Sequence, residues 1–255
     1  MKKRLLVIVF YIVFVPASLA MQNETLFERA TAVYNEGDYN KAIEYYQQIL
    51  ENGKHSAELY FNLGNCYYKL DQTGPSIYYY EKALLLKPND SEVLNNLGYA
   101  QNTRLDAFET MPKTAMEKLY ESTIAILSFE EWAKVAVLMS IIFVLLYLVY
   151  YFFNSVRQKR IFFILSMVSL TLCIFSLVFA YLQFNSFKSD NPAIIFENEV
   201  RVLSEPNKRS QEVFTLHEGT KVNVLENLDE WKKIQISDGQ TGWTASENLK
   251  LLKDF

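Results

Sequence analysis

Apolar positions follow three different patterns along the chain, and each pattern predicts a different kind of structure. Residues 5–20, 133–153 and 161–184 are almost continuously apolar. Residues 23–105 place apolar residues at helical spacing, whereas residues 190–255 show short alternating runs between turn residues, which predict strands. The chain is therefore predicted to be multidomain, with an all-α domain, a hairpin of two apolar helices and a small all-β domain.

The first apolar run has the pattern of an export signal. The basic residues Lys2, Lys3 and Arg4 precede it, and it ends in small residues up to Ala20. A positive segment, an apolar segment and a small-residue cleavage site are together typical of a secretory signal peptide. We predict a signal over residues 1–20, with an uncleaved anchor as the alternative; either way the chain that follows is exported.

The two later apolar runs are each long enough to cross a bilayer as a helix. They predict transmembrane helices over residues 132–153 and 161–184, joined by a loop at residues 154–160. That loop carries three basic residues and no acidic one, so the positive-inside rule places it in the cytoplasm. Both flanking domains are then expected in the periplasm, on a multi-pass protein of a bacterial inner membrane. Lys134, at one edge, is the only charged residue in the spans, which favours an anchor over a transport pathway.

Residues 23–56 and 57–90 resemble each other at a period of 34 residues. Tyr46 and Tyr80 occupy matching positions, and small residues recur where two helices of one repeat would cross. This spacing is the pattern of the tetratricopeptide repeat, a pair of antiparallel helices that stacks on its neighbours. The all-α domain is therefore predicted to be a short tetratricopeptide-repeat solenoid over residues 23–105.

The last helix of this solenoid is predicted to run from Ser91, as its N-cap, to about Leu105. It repeats the Leu-Gly pair of the second repeat, and Pro88 ends the helix before it because proline has no backbone N–H. We expect this helix to cap the stack.

The repeat fold implies a peptide-binding groove lined by the first helix of each repeat. An aromatic and asparagine-lined groove suits a neutral or hydrophobic peptide, because asparagine can bond to backbone amides. The alternative is that several of these aromatic side chains only pack the small stack. The predicted groove residues are Phe27, Thr31, Tyr34, Phe61, Asn65, Tyr68, Asn95, Tyr99 and Asn102.

Residues 106–131 predict an amphipathic connector between the repeats and the first span. Apolar residues such as Met116, Leu119 and Tyr120 recur there at helical spacing after Pro112. We expect this helix to lie near the membrane surface, with a partner helix as the alternative contact.

The C-terminal residues 190–255 predict a small antiparallel SH3-like barrel. Asp238-Gly239 is a hairpin signal between its last two predicted strands. The five predicted strands are residues 193–196, 200–203, 221–226, 232–236 and 242–245.

Four segments of this domain resemble a bacterial SH3 domain, namely residues 200–206, 216–222, 231–234 and 239–243. The resemblance implies that Gly219 turns the chain between strands. It also implies that Trp231 and Trp243 close the barrel and form a candidate binding surface. For Trp243, a core or rim position is the alternative to a ligand platform.

The order of signal, repeats, hairpin and SH3-like domain resembles the BatE family of Bat (Bacteroides aerotolerance) proteins. The resemblance implies a periplasm-facing membrane protein that helps to assemble a stress-tolerance complex. It implies as partners membrane proteins with von Willebrand A domains, other Bat-type proteins and, indirectly, a MoxR-type ATPase.

Charge and chemistry narrow the function further. Residues 22–131 carry nine basic and seventeen acidic side chains, a net charge of −8, and residues 188–255 carry nine and twelve, a net charge of −3. Such acidic domains do not suit a nucleic-acid backbone. The chain has two histidines and two cysteines, without the spacing of a catalytic triad, metal site or phosphate loop. We therefore predict no catalytic residue, metal or cofactor.

Two functions remain after these exclusions. The first is a non-enzymatic adaptor that scaffolds a periplasmic complex through the repeat groove and the SH3-like module. The second is an envelope protein whose SH3-like domain binds peptidoglycan.

Overall fold

The computed structural model of the chain describes residues 21–108 and 111–254. These residues divide into two compact units, one made of residues 21–108 together with 191–254 and the other of residues 111–190. The first unit is discontinuous in sequence, because the second is inserted between its two parts. The predicted export signal, residues 1–20, lies outside the described residues.

The helical part of the first unit has the predicted solenoid class. Consecutive helices pair as in two repeats, and a fifth helix follows them. They are α1 (21–35), α2 (Tyr39–Glu51), α3 (Ala57–Lys69), α4 (Thr73–Leu86) and α5 (Ser91–Gln101).

The start of α5 differs from the prediction by one residue. The carboxylate of Asp90 accepts hydrogen bonds from the backbone N–H groups of Glu92 and Val93, at 3.1 and 3.3 Å. Ser91 is the first helical residue, so its assignment as the N-cap is wrong. A charged acceptor one position earlier reaches two amides that would otherwise be unpaired. The helix also ends at Gln101, before the predicted end near residue 105.

A close approach of α3 and α4 explains a glycine in the repeat pattern. A Cβ added at Gly64 would lie 2.5 Å from Cδ1 of Tyr80. The Ser76 hydroxyl donates a hydrogen bond to the Gly64 carbonyl at 3.0 Å, across the same crossing point. Small residues are therefore required here, as the repeat pattern predicts.

The second unit contains the connector and the apolar hairpin. Its helices are α6 (Ala115–Thr123), α7 (Phe129–Phe152) and α8 (Val156–Ser189). By length and composition, α7 and α8 could each cross a membrane. Helix α7 begins three residues before its predicted span, α8 extends beyond its span at both ends, and the basic residues at 157–160 lie in α8 and not in a loop. The prediction of a loop over residues 154–160 is wrong because Ser155 precedes helical residues that continue directly into the apolar run.

Small side chains on α8 let it pack closely against α7. The Ser169 hydroxyl donates to the Met139 carbonyl at 2.8 Å, and the Cys173 thiol to the Ala136 carbonyl at 3.3 Å. Both donors are buried, so the hairpin satisfies its polar groups internally.

The C-terminal domain is a seven-stranded antiparallel sheet with the order β3-β2-β6-β5-β4-β1-β7. Five strands match the predicted ones within a few residues. The sequence patterns missed β3, whose residues do not alternate clearly in burial, and β7, which has only three residues. The strands are β1 (Pro192–Ile195), β2 (Glu199–Leu203), β3 (Glu212–His217), β4 (Lys221–Leu228), β5 (Trp231–Gln235), β6 (Thr241–Ala245) and β7 (Leu249–Leu251).

Strand β1 belongs to two hydrophobic cores at once. All four of its residues are buried. Ala193 and Ile195 lie in the core of the C-terminal domain, whereas Ile194 lies among the buried side chains of α4 and α5. Leu252, just after β7, joins Ile194 in that helical core. Alternate side chains of a strand point to opposite faces, so β1 is covered on both.

Candidate functional site

The helical domain contains a pocket of about 320 Å³, here called the repeat pocket. Seven of its eight lining residues come from α1, α3 and α5, the first helices of successive repeats, and one comes from α4. The lining residues are Tyr34, Asn65, Tyr68, Lys69, Tyr80, Glu92, Asn96 and Tyr99.

A hydrogen-bonded trio orients the polar floor of the repeat pocket. The Oδ1 atom of Asn65 accepts hydrogen bonds from the Tyr80 hydroxyl at 2.7 Å and from Nδ2 of Asn96 at 3.0 Å. Burial raises the pKa of the Tyr80 hydroxyl, which keeps this phenol protonated and donating. Because both bonds use the carbonyl oxygen of Asn65, its NH₂ group can donate to a peptide carbonyl.

Exposed groups surround this floor. Tyr68 is 37% exposed and Tyr99 is 61% exposed, so their rings can contact a ligand without a change in the core. Lys69 and Glu92 are also exposed and add one charge of each sign. The repeat pocket can therefore accept aromatic or apolar side chains, peptide carbonyls and charged groups at its rim.

Four of the nine predicted groove residues line the repeat pocket: Tyr34, Asn65, Tyr68 and Tyr99. Asn95 and Asn102 are exposed but lie outside its lining.

The other three predicted residues make packing contacts within the stack. The Thr31 hydroxyl lies 3.1 Å from the Tyr46 hydroxyl, and the ring of Phe27 meets that of Tyr46 edge-on at 5.4 Å. The ring of Phe61 lies 5.9 Å from that of Tyr80. These three residues therefore contact other side chains of the stack and do not line the repeat pocket.

Sequence reasoning missed four lining residues: Lys69, Tyr80, Glu92 and Asn96. Asn96 stands one position after the predicted Asn95 and takes the place expected for it. Tyr80 lies on the second helix of its repeat, which the groove pattern leaves out. The close approach of α3 and α4 at Gly64 brings Tyr80 beside the pocket, and only the packed structure shows this.

The predicted tryptophans lie on one face of the C-terminal sheet. Trp243 pairs with Lys233 across β5 and β6, and Trp231 pairs with Ala245 in the same register, so the two indoles lie diagonally on one side. Ile234, on the opposite side, is fully buried. Trp231 and Trp243 are only partly buried. The two tryptophans therefore lie on the partly exposed face of the sheet and not in the hydrophobic core of the domain.

A second pocket, of about 410 Å³, lies beside Trp231. It is formed by the turn between β4 and β5, by the residues that follow β6 and by Lys208. Asp229, Glu230 and Glu247 give it an acidic lining. Trp243 is not part of this pocket, so the structure does not join the two tryptophans in one cavity.

Within residues 21–108 and 111–254, no group of three or more histidine, cysteine, aspartate or glutamate side chains is arranged to hold a metal ion. Both cysteines are free and buried. Burial raises the pKa of the Cys66 thiol to about 12, so the thiol stays protonated and is a poor nucleophile.

Comparison with protein-family models identifies two kinds of domain. Residues 24–52 and 57–90 match tetratricopeptide repeats, and residues 198–250 match the bacterial SH3 domain. No curated protein matches the chain. Both kinds of domain are typically non-catalytic and point to protein–protein interaction or peptidoglycan binding. The chain thus combines tetratricopeptide repeats with a bacterial SH3 domain, and between them it carries two helices that could span a membrane.

Proposed function

We propose that this protein is a membrane-anchored adaptor without catalytic activity, which binds a segment of a partner protein in the repeat pocket. The observation that carries the proposal is the pocket itself. Its exposed tyrosines and the oriented amide of Asn65 offer apolar contact and a donor for a peptide backbone. This combination suits an extended peptide with an aromatic or apolar side chain.

The domain assignment follows the order of elements. Residues 1–20 are the export signal, residues 23–105 the repeats, residues 106–131 the connector and residues 190–255 the SH3-like domain. Helices α7 and α8 are the membrane anchor. Residues before and after this hairpin fold into one compact unit, which supports a topology with both flanks on the same side of the bilayer. The export signal and the basic start of α8 favour the periplasmic side.

The partner class follows from the resemblance to the BatE family. On this proposal the protein scaffolds an aerotolerance complex in the bacterial inner membrane. Its partners are membrane proteins with von Willebrand A domains and other Bat-type proteins, linked indirectly to a MoxR-type ATPase.

Co-purification in mild detergent tests the pocket. Mass spectrometry compares proteins bound to the wild type and to the Tyr68→Ala/Tyr99→Ala variant, which alters only exposed rings. The matched control is Leu94→Ala, because Leu94 is 47% exposed on α5 but does not line the pocket. We expect von Willebrand A proteins with wild type and control, and their loss with the double variant. If the three samples carry the same partners, the pocket is not the binding site.

The pocket beside Trp231 supports the second candidate, binding of peptidoglycan by the SH3-like domain. An aromatic ring beside an acidic cavity of about 410 Å³ offers a platform for a cell-wall peptide. Pull-down on purified sacculi separates the two candidates. Retention that is lost with Trp231→Ala but kept with Tyr68→Ala/Tyr99→Ala favours the envelope function, whereas no retention favours the adaptor.

A further inference from the structure

Helix α4 contacts the repeat pocket on one side and the SH3-like domain on the other. Tyr80 donates its hydroxyl hydrogen to Asn65 in the pocket. Two positions earlier, Tyr78 donates to Oδ2 of Asp254, near the C-terminus, at 2.9 Å. The ring of Tyr78 also meets Phe196 edge-on, with 5.3 Å between ring centroids. One helix therefore serves both surfaces.

Two buried charges of α4 find their partners in the C-terminal domain. Lys82, with its side chain only 6% exposed, forms an ion pair with Asp254. Glu81, 10% exposed, accepts a hydrogen bond from Nζ of Lys221 at 2.8 Å. Both ion pairs join α4 to the C-terminal domain, so the contact matches each buried charge of α4 with an opposite charge.

The two domains also approach each other through glycines. A Cβ added at Gly74, in the first turn of α4, would lie 3.3 Å from the carbonyl oxygen of Ile195. Gly219, in the turn between β3 and β4, has φ +80°, and its added Cβ would lie 2.9 Å from Cδ1 of Ile77. At both positions a larger residue would crowd the other domain, so this close approach depends on glycine.

The carboxylate of Asp106, which follows α5, also joins the helical domain to the SH3-like domain. Asp106 accepts hydrogen bonds from the amide of His217 at 2.7 Å, from Nδ1 of the same histidine at 2.7 Å and from the Thr220 hydroxyl at 2.6 Å. A carboxylate can only accept, so Nδ1 of His217 carries the hydrogen. Phe108, two residues further on, packs against the core of the SH3-like domain.

We propose that the SH3-like domain is the structural cap of the repeat pocket, and that its docking and ligand binding in the pocket stabilise each other. The cap fixes the outer side of α4 and so fixes Tyr80 against Asn65. By linkage, a ligand that needs this arrangement must strengthen the docking by the same factor by which docking strengthens its own binding. The binding part rests on the proposed function, whereas the capping part does not.

Two adjacent isoleucines give a matched test. Ile194 and Ile195 are both fully buried on β1, but Ile194 enters the helical core and Ile195 the SH3-like core. Each is changed to alanine in the full-length protein in detergent, without ligand, and amide hydrogen exchange is followed by mass spectrometry. The decisive quantity is exchange in α4 and α5 relative to exchange in β4 and β5.

We expect Ile194→Ala to speed exchange in α4 and α5 at least tenfold, with a smaller change in the strands. Ile195→Ala should have the opposite effect, with a larger increase of exchange in β4 and β5 than in α4 and α5. The proposal is overturned if Ile194→Ala leaves α4 and α5 within twofold of wild type, or if both variants give the same ratio. Should the alanine variants fail to fold, Ile194→Val and Ile195→Val give the same comparison. Because no ligand is present, a negative result leaves the proposed partner binding untouched.

Discussion

Replacing Asp106 with asparagine tests the contact between the helical and SH3-like domains with little change of shape. The carboxylate side chain is only 9% exposed and accepts three hydrogen bonds at 2.6 to 2.7 Å. An asparagine NH₂ group would face at least one of these three donors, so that hydrogen bond is lost or has to reverse, and the remaining bonds lose their charged acceptor. A hydrogen bond to a charged group contributes about 1.5–3 kcal/mol, and an unpaired buried donor adds a penalty. We therefore expect Asp106→Asn to lower the free energy of unfolding by about 2–4 kcal/mol.

The assay is urea unfolding of the full chain in detergent, followed by fluorescence of Trp231 and Trp243 in a Trp132→Phe background. With a slope of about 2 kcal/mol per molar urea, the midpoint should fall by about 1–2 M. Asp238→Asn is the matched control. Asp238 also accepts a backbone hydrogen bond in the SH3-like domain, at 2.9 Å, but that bond is exposed to solvent, so the expected loss is below about 1 kcal/mol.

The pH dependence of this effect has a definite sign. Burial alone would raise the pKa of Asp106, but the hydrogen bonds from Thr220 and His217 outweigh it and hold the pKa below the usual 3.8. A group whose folded pKa is lowered stabilises the protein above its unfolded pKa and loses that contribution as the pH falls through the folded pKa. The part of the difference between wild type and Asp106→Asn that comes from the Asp106 charge should therefore be fully present above about pH 5 and shrink below about pH 4. A difference under 1 kcal/mol at pH 7, or one that grows below pH 4, would refute the reasoning.

Two further predictions concern glycines, and thermal unfolding checks both. Gly64→Ala should destabilise the protein by about 1–3 kcal/mol, because its Cβ would meet Tyr80 at 2.5 Å. Gly98→Ala, at the matching position of the next repeat, has nothing within 4 Å of its added Cβ and should be neutral or stabilising by up to about 1 kcal/mol. Equal changes in stability for the two variants would contradict the close crossing of α3 and α4 at Gly64. Gly219→Ala should cost about 1–3 kcal/mol through its positive φ and its contact with Ile77, and an unchanged melting temperature would contradict this.

The fold class was predictable because it depends on local patterns. A period of 34 residues, two long apolar runs and short alternating strands each specify their own element. The pattern failed where tertiary contacts decide the outcome. Asn96 and not Asn95 reaches Asn65, because helix packing sets the rotation of α5.

The contact between domains escaped the sequence patterns, although α4 carried a signal for it. Its residues from Ile77 to Leu86 are apolar or aromatic around nearly the whole helix, which is typical of an element buried on more than one side. The strand β1 gave a second signal, since Ala193, Ile194 and Ile195 form a continuous apolar run and do not alternate with polar residues. Neither signal identifies the partner surface, because the contacts join residues more than 100 positions apart.

The discontinuous first unit has a consequence for the order of events during synthesis. Helix α4 ends at Leu86, but Leu252, which completes its core, is made 166 residues later. At a translation rate of about 5–20 residues per second, the outer side of α4 stays uncovered for roughly 10–30 s. During that interval the apolar hairpin of α7 and α8 is also synthesised. Two exposed hydrophobic surfaces, the outer side of α4 and this hairpin, are then present on one nascent chain. Any factor that keeps them apart must act before Ile194 and Leu252 are available to pack on α4, and a chain that stops before them leaves a helical domain with its hydrophobic side open.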